Sequence, residues 1–145
     1  MNNWNMLEHK ITPKEVLEII TRKDRFSRWL GLHIDEHRTG YCKLHFKVID
    51  DMLNGFNHIH GGVLFSASDS AFAFACNSYG NITLALDASI SFTRPAKSGD
   101  LLYIEAIEVF SGNKIGIYDV RTTNERGELI AIFKGTSYRT DKPVS

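Results

Sequence analysis

The stretch from Gly61 to about Tyr79 constrains this chain more than any other part of it. It is the longest apolar run, filled by Val63, Leu64, Phe65, Ala67, Ala71, Phe72, Ala73, Phe74, Ala75 and Cys76. Its length and alanine content favour a helix, since alanine is the best helix former and strands seldom run so long. The apolar residues go nearly all the way round such a helix, so it must be buried in a core or an interface. It is still too short and too interrupted for the ~20 apolar residues of a bilayer span.

The segments around it read mostly as strands. One helix precedes them: Thr12 as N-cap, Pro13 in the first turn and Glu15 closing a capping box, with Val16, Leu17, Ile19 and Ile20 as the apolar stripe. A short helical turn from Phe26 to Leu30 follows. Leu32 to Glu36 and Tyr41 to Ile49 form a hairpin through His37-Arg38-Thr39-Gly40, and Cys42, Leu44, Phe46 and Val48 alternate with Lys43, His45 and Lys47. Beyond the long helix, Leu84, Leu86, Ala88, Ile90 and Phe92 alternate with polar residues or alanine. Leu101 to Phe110, Lys114 to Thr123 and Leu129 to Tyr138 then make a meander through the turns at 111–113 and 124–127. The predicted class is α+β: a curved antiparallel sheet of five to six strands wrapped around one long central helix, with a short N-terminal helix. No linker or repeat divides the chain, so residues 1–145 read as a single domain.

Charge narrows the function. Seventeen basic residues balance 17 acidic ones, which leaves little field to hold DNA or a membrane surface. Met1 to Lys10 lacks the apolar core of a signal peptide, and Cys42 and Cys76 carry no metal-type spacing. The expectation is a cytoplasmic domain that handles a small molecule, with no nucleic-acid or membrane partner.

The chemistry gathers in Asn54-Gly55-Phe56-Asn57-His58-Ile59-His60-Gly61-Gly62 and in Asp69. Two glycines at the mouth of a buried helix leave bare N–H groups that suit an anion or a developing oxyanion. The plainer reading is a glycine-permitted turn into the helix. Asp69 is the one charged residue between His60 and Tyr79, and burying its charge is costly unless it is paired or hydrated. It either bonds Ser66, Ser68, Ser70 or a cation, or serves as a desolvated base. Gly61 and Asp69 stand about 12 Å apart along a straight helix, too far to share one reacting carbon. If both act on one substrate, a second copy of the chain must supply one of them across a twofold axis.

An upstream Asn54, then His60-Gly61-Gly62-Val63-Leu64, Asp69 and Ala71-Phe72-Ala73 together resemble the hotdog-fold thioesterases of the PaaI type, which include phenylacetate-pathway acyl-CoA thioesterases. Asp87, Phe92-Thr93-Arg94-Pro95-Ala96 and Gly99-Asp100 extend the likeness, which covers roughly Leu32 to Tyr138. The resemblance implies hydrolysis of an acyl-CoA thioester. Gly61 would polarise the carbonyl, Asp69 of a second protomer would act as nucleophile or base, Asn54 would orient water or substrate, and His60 would lie beside the acyl group. It also implies dimers paired into tetramers and no cofactor beyond the CoA of the substrate. Ala85 departs from those relatives that hold the attacking water with a hydroxyl near Asp87; Thr83 and Ser89 are the stand-ins read on the same strand face.

Other readings compete. His58 and His60 with Asp69 suggest a metal site, which the flanking glycines argue against. Arg94, Lys97 and Arg121 are candidates for the CoA phosphates or are simply solvated. His9, His33, His37 and His45 read as solvated. A non-catalytic acyl-CoA binder, or a hydratase or dehydratase on the same fold, are the alternatives to hydrolysis. Phe65, Phe72, Phe74 and Tyr79 offer aromatic surface for an aryl-acetyl group, or are packing.

Overall fold

Thr12 starts the first helix as its sequence requires: Glu15 N–H donates to Thr12 Oγ1 at 3.2 Å, and Thr12 N–H donates to the Glu15 carboxylate at 2.8 Å. The structure is a computed structural model that describes residues 10–145, so the readings of His9 and of the N-terminal segment before Lys10 lie outside the described residues. Helix α1 is Pro13–Lys23, and α2 is the short Arg25–Trp29. Strands β1 (His33–Arg38) and β2 (Tyr41–Lys47) lead to the long helix α3 (Gly61–Asn77). Then follow β3 (Asn81–Phe92), β4 (Leu101–Ser111), β5 (Ile115–Asn124) and β6 (Leu129–Pro143). All pairings are antiparallel, in the order β1-β2-β4-β5-β6-β3, and α3 packs on one face of this six-stranded sheet.

The pattern of inward residues explains the wrap. Leu44, Phe46, Leu102, Ile104, Tyr118, Val120 and Phe133 form the sheet side of the core, and Leu64, Ala67, Ala71, Phe72 and Ala75 form the helix side. A Cβ at residue 135 would come within 2.8 Å of the Phe72 ring, so Gly135 is what lets the helix sit this close. Cys42 and Cys76 are buried free thiols, and burial pushes both up to about 12.

Two features differ from the sequence reading, and a third sharpens it. First, the β1–β2 turn is only Thr39-Gly40, because β1 continues to Arg38. His37 therefore sits in the strand opposite buried Cys42, where its Nε2 bonds the Phe74 carbonyl at 2.8 Å. It is half-buried, and desolvation lowers its pKa, so His37 is not the solvated residue expected of a turn. His45 is also engaged, with Asp35 at 2.8 Å.

Second, β3 carries a bulge between Ala85 and Asp87. Thr83 and Ala85 face the helix side with their partners Arg139 and Ser137, whereas Asp87 and Ser89 lie opposite Thr136 and Lys134 on the outer side. Thr83 and Ser89 thus do not share a face. The extra residue inverts the alternation.

Third, the sheet covers only part of α3. Gly62, Phe65, Ser66, Asp69 and Ala73 form a stripe left partly or fully open, and β3 is an edge strand of the sheet. Leu84 (56% exposed), Leu86 (57%) and Ile82 flank that edge.

Candidate active site

The loop before α3 is held by Asn54. Its Oδ1 accepts the N–H groups of Phe56 (2.9 Å) and His58 (3.2 Å), and its own N–H reaches the His58 carbonyl at 2.7 Å. Such Asx-type bonding stabilises a tight loop that strand or helix pairing cannot reach. Two further bonds fasten the last loop residues to the body: Ile59 N–H to the Ala96 carbonyl and His60 N–H to the Met52 carbonyl, both 2.8 Å. The start of α3 is therefore fixed from both sides.

His60 is the N-cap of α3. Its Nδ1 accepts the Gly62 N–H at 2.8 Å. Of the two glycines expected to present bare donors, Gly62 is thus satisfied. The Gly61 N–H has no acceptor among the described residues. It opens into a cleft of about 420 Å³ lined by Asn54, His58, Gly61, Phe92 and Arg94, among others. The amide nitrogen of Asn54 has no partner among the described residues, so Asn54 holds the loop with its oxygen and keeps a donor for a ligand. No group of three or more His, Cys, Asp or Glu side chains is placed to hold a metal among the described residues.

The sequence marks Phe92 only as part of the Phe92-Thr93-Arg94-Pro95-Ala96 likeness and gives it no role in the site. A Cβ built on Gly61 would lie 2.9 Å from its Cζ, so the ring rests on the α-carbon that carries the free N–H. Arg94 projects into the same cleft while Glu128 holds its Nε at 3.4 Å. Lys97 and Arg121 do not line this cleft. Arg121 stands opposite Glu105 on the outer face of β5, beside a separate groove with Lys43 and Tyr103.

Asp69 lies two turns along α3, on the open stripe and outside the cleft. It is half-buried, and desolvation raises its carboxyl pKa. Its neighbours do not relieve that cost: Ser66 donates to the Gly62 carbonyl at 2.8 Å, and Ser70 bonds Ser27 at 2.9 Å. Ser68 Oγ is buried without a partner, and Asp69 itself has neither hydrogen bond nor ion pair among the described residues. Of the aromatic residues offered for a ligand, Phe72 and Phe74 are buried, and Tyr79 donates its hydroxyl to Glu108 at 2.7 Å. Phe65 alone stays on the open stripe, 37% exposed.

Residues 56–131 match the family model of the thioesterase superfamily. The acyl-coenzyme A thioesterase PaaI of Escherichia coli is 38% identical over 116 residues, which span 80% of this chain and 83% of that protein. The solved E. coli PaaI protein from the phenylacetic acid degradation operon superposes with a TM-score of 0.89 at 33% identity, covering 92% of this chain and 96% of that one. A hypothetical thioesterase of Streptococcus pneumoniae, solved with coenzyme A, superposes with a TM-score of 0.74 at 28% identity, covering 77% and 88%. By sequence and by fold, this chain belongs to the thioesterase superfamily and has the hotdog fold of its PaaI-type members.

Proposed function

We propose that this protein is an acyl-CoA thioesterase whose site is assembled from two chains. The similarity to E. coli PaaI supports the reaction, and the coenzyme A in the S. pneumoniae relative supports the ligand. The observation that carries the reading is Asp69, a half-buried carboxylate with no partner among the described residues, on the same helix as an open N–H donor. A protein that only bound acyl-CoA would gain nothing from that uncompensated charge.

In this mechanism the Gly61 N–H and the N-terminus of α3 stabilise the oxyanion that forms on the thioester carbonyl, an interaction worth ~3 kcal/mol of barrier. The ionised Asp69 of a second protomer either attacks the carbonyl carbon or takes the proton of the water that does. The C–S bond then breaks, CoA leaves as its thiolate, and hydrolysis releases the free acid. Asn54 Nδ2 bonds substrate or water in this reading. His60 fixes the helix start through Gly62. Arg94, and in the assembled protein Lys97 or Arg121, are the cations for the CoA phosphates. The substrate carries the only cofactor needed, an aryl-acetyl or medium acyl chain is its acid part, and the assembly is a homodimer, further paired into a tetramer, in the cytoplasm.

Replacing Asp69 tests this directly. Asp69→Asn should lower kcat by ~100-fold or more while KM for an acyl-CoA stays within a few-fold. In the wild type, kcat/KM should fall as the pH drops through a value above the usual carboxylate range, because protonation removes the nucleophile or base. Unchanged turnover in Asp69→Asn would end the proposal.

A further inference from the structure

The open stripe of α3 leads beyond the catalytic groups. Residue 65 lies midway between Gly61 and Asp69 on this helix. When two antiparallel copies of α3 bring each Asp69 opposite the other copy's Gly61, residue 65 of one chain must face residue 65 of the other. That point is the twofold axis. The occupant is a phenylalanine, the largest apolar side chain on the stripe, and it is 37% exposed in the single chain.

Phe65 is also held firmly. Its ring meets Phe133 edge-on, with centroids 5.3 Å apart, and Phe133 in turn packs on Phe72 at 5.9 Å. Phe72 meets Tyr118 edge-on at 5.3 Å. Phe133, Phe72 and Tyr118 are buried, so Phe65 is the outermost ring of a ladder rooted in the core. It stands one helical turn from Asp69, with ~6 Å between their β-carbons. Any acyl group whose carbonyl reaches Asp69 therefore lies within reach of this ring.

We propose that the Phe65 rings of two protomers meet on the twofold axis and form the wall between the two acyl pockets, which makes Phe65 the residue that selects aryl-bearing acyl groups. This rests on the shared-site reading above. A fixed aromatic wall favours a ring that can pack against it edge-on, a preference of about fivefold (~1 kcal/mol) beyond simple burial. A flexible linear chain gains nothing equivalent.

Two measurements test the two halves of the proposal. Phe65→Cys, treated with a short bis-maleimide, should give a covalent dimer on a denaturing gel, whereas Ala73→Cys, two turns from the axis, should not. For selectivity, kcat/KM would be measured with phenylacetyl-CoA and hexanoyl-CoA for the wild type, Phe65→Leu and Phe65→Tyr. The phenylacetyl preference should fall about fivefold in Phe65→Leu and persist in Phe65→Tyr. Absence of the cross-link in the Phe65→Cys variant, or an equal loss on both substrates in Phe65→Leu, overturns the inference while thioester hydrolysis stands. A wild-type protein inactive on every acyl-CoA would instead overturn the functional reading beneath it.

Discussion

The contact between Gly61 and Phe92 links an otherwise ordinary glycine to the chemistry. A methyl group at residue 61 would sit 2.9 Å from Phe92 Cζ and 3.3 Å from two neighbouring ring carbons, so either the ring or the helix start must move. Gly61→Ala keeps its N–H but displaces it, and should lower kcat about 30-fold, or ~2 kcal/mol of barrier. Phe92→Ala removes the obstacle. Adding Gly61→Ala to that background should then cost no more than about threefold, as read by steady-state kinetics. If the full loss persists in the double variant, the glycine is required for substrate approach and not for Phe92. Residue spacing exposes Gly61 and Asp69 because a bare helix start and a charge in an apolar run are both chemical anomalies. Phe92 carries no such chemical mark: beyond its place in the Phe92-Thr93-Arg94-Pro95-Ala96 likeness, it reads as one more apolar residue in an alternating strand. Nor does the sequence reveal that His60 uses its own ring to satisfy Gly62, since the cap depends on a side-chain rotamer.

Among the elements, α3 and the β4–β5–β6 meander are legible in the sequence because hydrophobic period and turn chemistry agree in them. β3 is legible in place but not in orientation. Leu84, Leu86, Ala88, Ile90 and Phe92 read as one uninterrupted face, yet the bulge at Leu86 sends the two halves to opposite sides of the sheet. A bulge adds one residue without changing hydropathy, so alternation cannot disclose it. The same strand is a sheet edge, with no strand beyond it among the described residues, capped at Thr83 by the Asn77 side chain and carrying Ile82, Leu84 and Leu86 exposed. Such an edge invites a second strand unless charge or cover protects it. Leu84→Lys combined with Leu86→Lys should therefore raise the dimer dissociation constant by at least ~100-fold, about 3 kcal/mol of lost apolar burial and edge repulsion. Sedimentation should then show monomers at micromolar concentration, with the far-ultraviolet circular dichroism preserved and turnover lost. A double variant that stays dimeric would place the interface elsewhere.

At the scale of the whole molecule, the proposed mechanism makes the Gly61 cleft and Asp69 two half-sites, to be completed by halves of different chains. Asp69→Asn damages one half and leaves the cleft intact; a bulky residue at Gly61, such as Gly61→Leu, does the reverse. Each variant alone should be inactive. In a mixed dimer, one site joins the intact cleft of the first chain to the intact Asp69 of the second, and the other site has both defects. After full subunit exchange at equal concentrations, about half the dimers are mixed, and each holds one working site of two. Activity should therefore recover to about a quarter of the wild-type value. A site confined to one chain predicts no recovery, because every chain in the mixture carries a defect. Exchange must be verified independently, by mass spectrometry of differently tagged subunits, so that lack of recovery speaks to the site and not to slow mixing.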